Sequence, residues 1–324
     1  MKKMLALILA VLMMFSLVAC GDTAKDDEND GKLTYTNFVM GSGGVAGSWY
    51  PIAGALCTAM SYDGASVSVQ TSAGSVENVR LIMSGEREFG LCAGSVAYYA
   101  HAGEGDYKGE DGSMLRALAC FSPIEMQVVV RKDSGINGFS DLKGKAMGIG
   151  PAGSADQGSL GELLSALDIT FDDMTTQALP LADQVTAFKD RQLDAAYVYT
   201  SAPTSGIMDI ASQADIKMLS LTDAELDAFI EKYPFYTKRV VPAEKYSFLE
   251  EDVQTAGGMT LLICTEDVPD EIVYQMLKNL FANIEGVQAS HVSMNAFNLE
   301  EAASGMTIPI HPGAEKFYKE AGIL

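Results

Sequence analysis

Three stretches of small residues place hydrogen-bond donors where they could hold a charged solute: Gly41 to Tyr50 (Gly-Ser-Gly-Gly-Val-Ala-Gly-Ser-Trp-Tyr), Thr71 to Asn78, and Gly150 to Asp156. Each follows a run that reads as a strand and opens a run that reads as a helix. The first turn of a helix leaves backbone N–H groups unpaired and carries the positive end of the helix dipole. Glycine lets a ligand approach that backbone closely. Such turns can hold a carboxylate or another anion without any arginine. The candidate contacts are Gly43, Gly44 and Ser48 in the first turn, Ser72, Ala73, Ser75 and Asn78 in the second, and Pro151, Gly153 and Ser154 in the third. Gly94, where the next strand gives way to a helix, joins them. Trp49 and Tyr50 stand just inside the first helix, where they could close over a ligand. Tyr197 and Tyr199 end a later strand and could supply the opposite wall. Short strand-to-helix turns use Gly and Ser in any case; three of them in one chain tip the reading towards binding.

Other chemistries find little support. The chain has no G-x-S-x-G elbow, no H-E-x-x-H pair and no G-x-x-x-x-G-K-[ST] loop. Gly41-x-Gly43-x-x-Ala46 fits a loose dinucleotide fingerprint. Its acidic partner, Asp63, falls in a turn before the second strand rather than at that strand's end, so no nucleotide cofactor is expected. His101, His291 and His311 are not paired at metal-ligand spacing, and Cys57, Cys92, Cys120 and Cys264 match no metal motif. The four cysteines lie in apolar segments and read as buried free thiols, with one disulfide left open. Arg131 and Lys132 read as solvated or paired with acids, and His311 as structural. The formal net charge of −21 argues against a nucleic-acid partner. It leaves a locally positive pocket possible. Neither metal nor cofactor is expected, and the chain reads as a binder rather than an enzyme.

The elements that must position these turns alternate. Strands are expected at Leu33–Val39, Ala65–Gln70, Phe89–Ala93, Leu115–Phe121 and Gln127–Arg131, and again at Ala146–Gly150, Asp194–Tyr199, Ile216–Leu219 and Gly257–Cys264. Helical spacing of apolar residues appears behind Pro51, Ser75 and Val96. It returns at Leu160–Leu167, Asp183–Asp190, Ile272–Ile284 and Glu315–Ala321. Thr222-Asp223-Ala224-Glu225 is a capping box opening a helix to Tyr233. Strand and helix alternating twice over signal an α/β fold with largely parallel strands. Ligands in such sheets sit beyond the carboxyl ends of the strands, and two lobes facing one another make a cleft. The expected division is residues 33–124 with 266–324 in lobe 1 and residues 125–265 in lobe 2.

The beginning of the chain carries a different signal. Lys2 and Lys3 precede an uncharged apolar run from Met4 to Leu17, and Leu17-Val18-Ala19-Cys20 ends it. That is the layout of a secretory signal peptide, residues 1–20, too short for a comfortable membrane span. The last four residues resemble a lipobox, which makes Cys20 the expected site of lipidation and the lipid bilayer an expected partner. Residues 21–32, rich in Asp and Gly, read as a flexible tether.

The run Gly41 to Pro51 resembles the glycine-rich opening of the TAXI family, the solute receptors of one class of TRAP transporters, which carry G-T-G-G-x-x-G-x-Y-Y-P there. Thr71 to Arg80 is similar to the family's E-G-S-x-x-N segment. Ser84 to Ala93, Val128 to Lys145, Gly150 to Ser154 and Pro309 to Gly322 follow in the family's order. The resemblance implies a two-lobed type II periplasmic-binding-protein fold that closes by a hinge around its ligand. It implies a small organic anion such as glutamate or a dicarboxylate as ligand and a TRAP-type membrane permease as partner. It also implies a monomeric receptor held outside the cytoplasmic membrane. Ser42, Trp49 and Ala73 depart from the family's usual Thr, Tyr and Glu. The same fold also suits a ligand sensor that signals to a membrane histidine kinase.

Overall fold

The structure, a computed structural model, describes residues 37–324. The expected signal peptide, Cys20 and the tether lie outside the described residues. In chain order the first part runs β1 (Asn37–Gly41), α1 (Trp49–Met60), β2 (Ser66–Gln70), α2 (Ser75–Met83), β3 (Phe89–Ala93), α3 (Gly94–Ala102) and β4 (Leu115–Arg131). The second part runs β5 (Ala146–Gly148), α4 (Asp156–Ala166), β6 (Thr175–Gln177), α5 (Leu181–Lys189), β7 (Ala195–Thr200), α6 (Ser205–Ala211), β8 (Ile216–Met218), α7 (Asp223–Lys232), β9 (Thr237–Val241) and β10 (Val253–Thr265). The chain then returns as α8 (Asp270–Ala282), α9 (Ile284–Gln288), α10 (Leu299–Ala302) and α11 (Pro312–Glu320).

The strands follow the order β2-β1-β3-β10-β4-β7-β5-β6, with β8 on β4 and β9 on β10. Pairing is parallel at both ends of this order, where helices make the crossovers: β1 with β2 and β3, and β5 with β6 and β7. It is antiparallel in the middle, where β4 and β10 run alongside each other from Leu115 opposite Thr265 to Glu125 opposite Gly257. These two long strands belong to both halves. β10 meets β3 through Thr260–Ile263, while β4 meets β7 through Glu125–Val130. The result is the α/β, two-lobed architecture of a type II periplasmic-binding-protein fold.

β4 corrects one expectation. Two strands flanking Ser122-Pro123-Ile124-Glu125 are in fact one strand of 17 residues. The pairing shifts register between Met259 and Thr260, opposite Pro123 and Phe121, so Ser122 is the extra residue of a bulge. Proline lacks the N–H that a regular ladder needs, and a bulge is where a sheet tolerates it. β10 likewise starts at Val253, four residues before its expected start. The sheet also gains β6 and β9, and the chain a further helix, α6, all too short to show a period.

The helices bury one face each. α1 turns Ile52, Leu56 and Met60 into the core, and α8 turns Ile272, Met276 and Leu280 against it. Pro51 sits in the first turn of α1, where a missing N–H costs nothing. The capping box forms as read: Thr222 Oγ1 accepts from Glu225 N (3.3 Å), and Glu225 Oε2 accepts from Thr222 N (2.8 Å). Gly74 is the N-cap of α2, and Ser75 its first helical residue. His311 is structural: buried, its Nδ1 accepts from Gly313 N (3.1 Å) and caps α11, while Nε2 donates to Val268 O (2.9 Å). The thiols of Cys57, Cys92, Cys120 and Cys264 are all free and buried.

Candidate functional site

Four strand-to-helix turns converge on one cavity of about 480 Å³. They join β1 to α1, β2 to α2, β5 to α4 and β6 to α5, and the end of β7 closes the floor. The volume lies within the usual range for small-molecule sites, about 300–1,000 Å³. In each of the four turns the first residues of the helix line the cavity: Trp49, Ser75, Asp156, and Leu181 with Ala182. Four positive helix ends therefore face the same space. No Lys, Arg or His is among the lining residues.

The first turn is held from below. Asn78 is buried, and its Nδ2 donates to Ser42 O (2.7 Å) and Leu91 O (2.9 Å). A Cβ on Gly41 would lie 2.1 Å from Asn78 Oδ1, so only glycine lets the turn sit this close to α2. Within residues 42–48, Ser42 N bonds to Gln70 O and Gly47 N to Gly44 O, each at 3.0 Å. The N–H groups of Gly43, Gly44, Val45 and Ala46 take no partner within the protein. Trp49 is 7% exposed, and its buried Nε1–H also has no acceptor.

The two halves of the chain meet across the cavity. Ser48 Oγ and Thr200 Oγ1 lie 2.7 Å apart. Ala46 O accepts from Gly206 N (3.2 Å) and from Ser205 Oγ (3.1 Å). Glu77 N donates to Gly153 O (2.8 Å). Gly74, with φ at 131°, comes so near the third turn that a Cβ would lie 3.3 Å from that of Ser154. Farther out, Tyr99 Oη donates to Glu162 Oε1 (2.8 Å) and Tyr236 Oη to Glu162 Oε2 (2.6 Å). Burial lifts Glu162 above the ordinary carboxylate range, and the two tyrosine hydroxyls oppose the shift.

One carboxylate side chain lines the cavity. Asp156 opens α4 and is 9% exposed. Its Oδ1 accepts from Tyr199 N at 2.6 Å, which fastens the start of α4 to the end of β7. Gly150 makes room for it, because a Cβ there would lie 2.4 Å from Oδ2. Burial pushes its pKa up to about 7, against the opposing pull of the Tyr199 N–H. Among the described residues no ion pair includes it.

The structure brings Gly43, Gly44, Trp49, Ser72, Ala73, Ser75, Pro151, Ser154 and Tyr199 to the cavity lining. Six other candidates lie outside it. Ser48 bridges to Thr200, Asn78 braces the first turn, and Gly153 accepts from Glu77 N. Gly94 O accepts from Thr307 Oγ1 (2.7 Å), Tyr197 Oη meets Ser159 Oγ (2.8 Å) behind the cavity, and Tyr50, 37% exposed, stands outside. Arg131 and Lys132 are also elsewhere. The Arg131 guanidinium lies over Phe188 (4.5 Å to the ring centroid), and Lys132 pairs with Glu250 (2.9 Å) and Asp215 (3.5 Å). Asp156, Thr200 and the Pro180-Leu181-Ala182 turn are lining residues without a glycine signal of their own. Pro180 before a helical run was the available clue to that last turn.

A family description, the NMT1-like family, matches residues 40–322, and the chain belongs to that family. Among solved structures, the periplasmic binding protein BugD is 14% identical, with 89% of this chain and 98% of that one covered at a TM-score of 0.55. A protein from Bordetella bronchiseptica RB50 is also 14% identical, with 90% and 99% covered and a TM-score of 0.55. At that identity the likeness is one of fold, and it is the fold of a periplasmic binding protein.

Proposed function

We propose that this chain is an extracytoplasmic solute receptor that captures a small organic acid between its two lobes and hands it to a membrane permease. The observation that carries the reading is the cavity itself. Four helix N-termini, and a turn whose N–H groups take no partner within the protein, line a space that holds no cationic side chain. Backbone donors fixed in this way bind a carboxylate without reorganising. The lobes, residues 33–124 with 266–324 and residues 125–265, would turn about β4 and β10, and the bonds from Ser48 to Thr200 and from Ala46 to Gly206 describe the closed form. The order of motifs supports a TRAP-type permease of the TAXI class as the partner, and Cys20 as the lipid-anchored end.

Uptake measurements test this. Cells lacking the gene should lose uptake of one small organic acid and regain it with the wild-type chain. Unchanged uptake, together with an altered histidine-kinase response to the same acid, would place the chain in sensing instead.

A further inference from the structure

We propose that Asp156 is the counter-ion of a ligand ammonium group, so that the solute is an α-amino acid with an apolar side chain. This rests on the receptor reading above and narrows it, setting dicarboxylates aside.

The argument begins with an imbalance. A buried carboxylate is costly unless it is paired. Asp156 faces the cavity and has no cationic partner; what it holds is one backbone N–H, from Tyr199. That bond occupies Oδ1 and sets the orientation of the group, and the Ser154 hydroxyl beside it is committed to Pro151 O (2.7 Å). A solute ammonium would supply the positive charge that the lining itself does not hold.

The opposite side of the cavity shows the reverse imbalance. The N–H groups of Gly43, Gly44, Val45 and Ala46 take no acceptor within the protein. One carboxylate would satisfy donors of this kind. The first turn thus offers donors while the start of α4 offers an acceptor, which is the polarity of a zwitterion. The rest of the lining holds hydroxyls, those of Ser72, Ser75 and Thr200 among them, and the apolar side chains of Pro180, Leu181 and Val198, among others. A second ligand carboxylate would find no cationic side chain there and would stand near Asp156.

The test uses the chain without residues 1–20, unfolded, dialysed and refolded to remove any carried ligand. Calorimetric titration compares leucine, methionine and phenylalanine with their 2-oxo acids, and with glutamate and succinate. It is carried out on the wild type and on Asp156→Asn, whose amide oxygen can still accept from Tyr199 N. At least one apolar amino acid should bind the wild type more than about tenfold tighter than its 2-oxo acid, and Asp156→Asn should weaken it by about a hundredfold. Preference of the wild type for the 2-oxo acid, glutamate or succinate overturns the inference and leaves the receptor reading standing. So does an Asp156→Asn affinity for the amino acid within about threefold of wild type. Binding of no acid at all overturns both. Should the variant fail to fold, the wild-type comparison of each amino acid with its 2-oxo acid decides the matter.

Discussion

Gly41 and Gly44 lie three residues apart in the same turn, yet substitutions at them should act on different properties. At Gly41 an added Cβ would fall 2.1 Å from Asn78 Oδ1 and 2.7 Å from Asn78 Cγ. The amide must move, and with it go two bonds made in the protein interior, to Ser42 O and Leu91 O. Each bond contributes about 0.5–1.5 kcal/mol, and a buried polar group left without a partner costs about 1–3 kcal/mol, so Gly41→Ala should lose about 2–4 kcal/mol of stability. For a domain of this size that is a fall in Tm of roughly 5–15 °C. At Gly44 a Cβ meets no atom within 4 Å, and its φ is not in the left-handed region. Gly44→Leu should therefore change stability by no more than about 0.5 kcal/mol. Because Gly44 lines the cavity, the same change should weaken ligand binding by at least about tenfold, or 1.4 kcal/mol. Urea denaturation and calorimetry on both variants separate the two effects. A Gly41→Ala protein as stable as wild type would refute the bracing role of Asn78. A Gly44→Leu protein that loses stability in step with affinity would make that turn structural only.

Removing the Ser48 hydroxyl (Ser48→Ala) takes away a bond that joins the two halves, and should weaken binding by about 0.5–1.5 kcal/mol in calorimetry. Asp156 supplies a pH test in the ligand-free protein. Its folded pKa, about 7, lies above the ordinary Asp value of 3.8, so the folded state holds this proton more tightly. The stability that the proton provides is lost as pH rises through that window. Urea midpoints of Asp156→Asn should therefore gain on wild type between pH 4 and pH 7, and level off above. The neighbouring Tyr197 and Tyr199 hydroxyls have pKa values raised by burial and stay neutral throughout. Thiol labelling gives a third check. Burial pushes Cys57 and Cys120 up to about 12, so iodoacetamide should modify neither until urea unfolds the chain.

Local signals were readable wherever one residue type decided the geometry. β3 spans Phe89–Ala93 as expected, because an apolar run bounded by polar residues has one register. The Thr222 and Glu225 capping box needs only residues three positions apart in a helix start. Pro123 misled, because the bulge beside it exists only through the pairing of β4 with β10, more than a hundred residues away. The cavity was legible through its glycine turns and invisible elsewhere. Leu181 and Thr200 line it because of where β6 and β7 end, and nothing in their own neighbourhoods marks them. Asp156 falls inside a turn that was picked out, but its isolation from every cation depends on the packing of α4 against β7. The same holds for Ser48 and Gly153, whose partners come from the other half of the sheet.

The most direct test of the receptor reading is a thermal-shift screen of the chain lacking residues 1–20, stripped of carried ligand by unfolding and dialysis. The panel should hold amino acids, 2-oxo acids, dicarboxylates and aromatic acids. A ligand present at 100 times its Kd adds about 2.7 kcal/mol to stability, a shift of several degrees. The account predicts such a shift for at least one carboxylate, cut to about half or less in Gly44→Leu at the same ligand concentration. A panel in which no carboxylate moves the Tm of the stripped protein would contradict it.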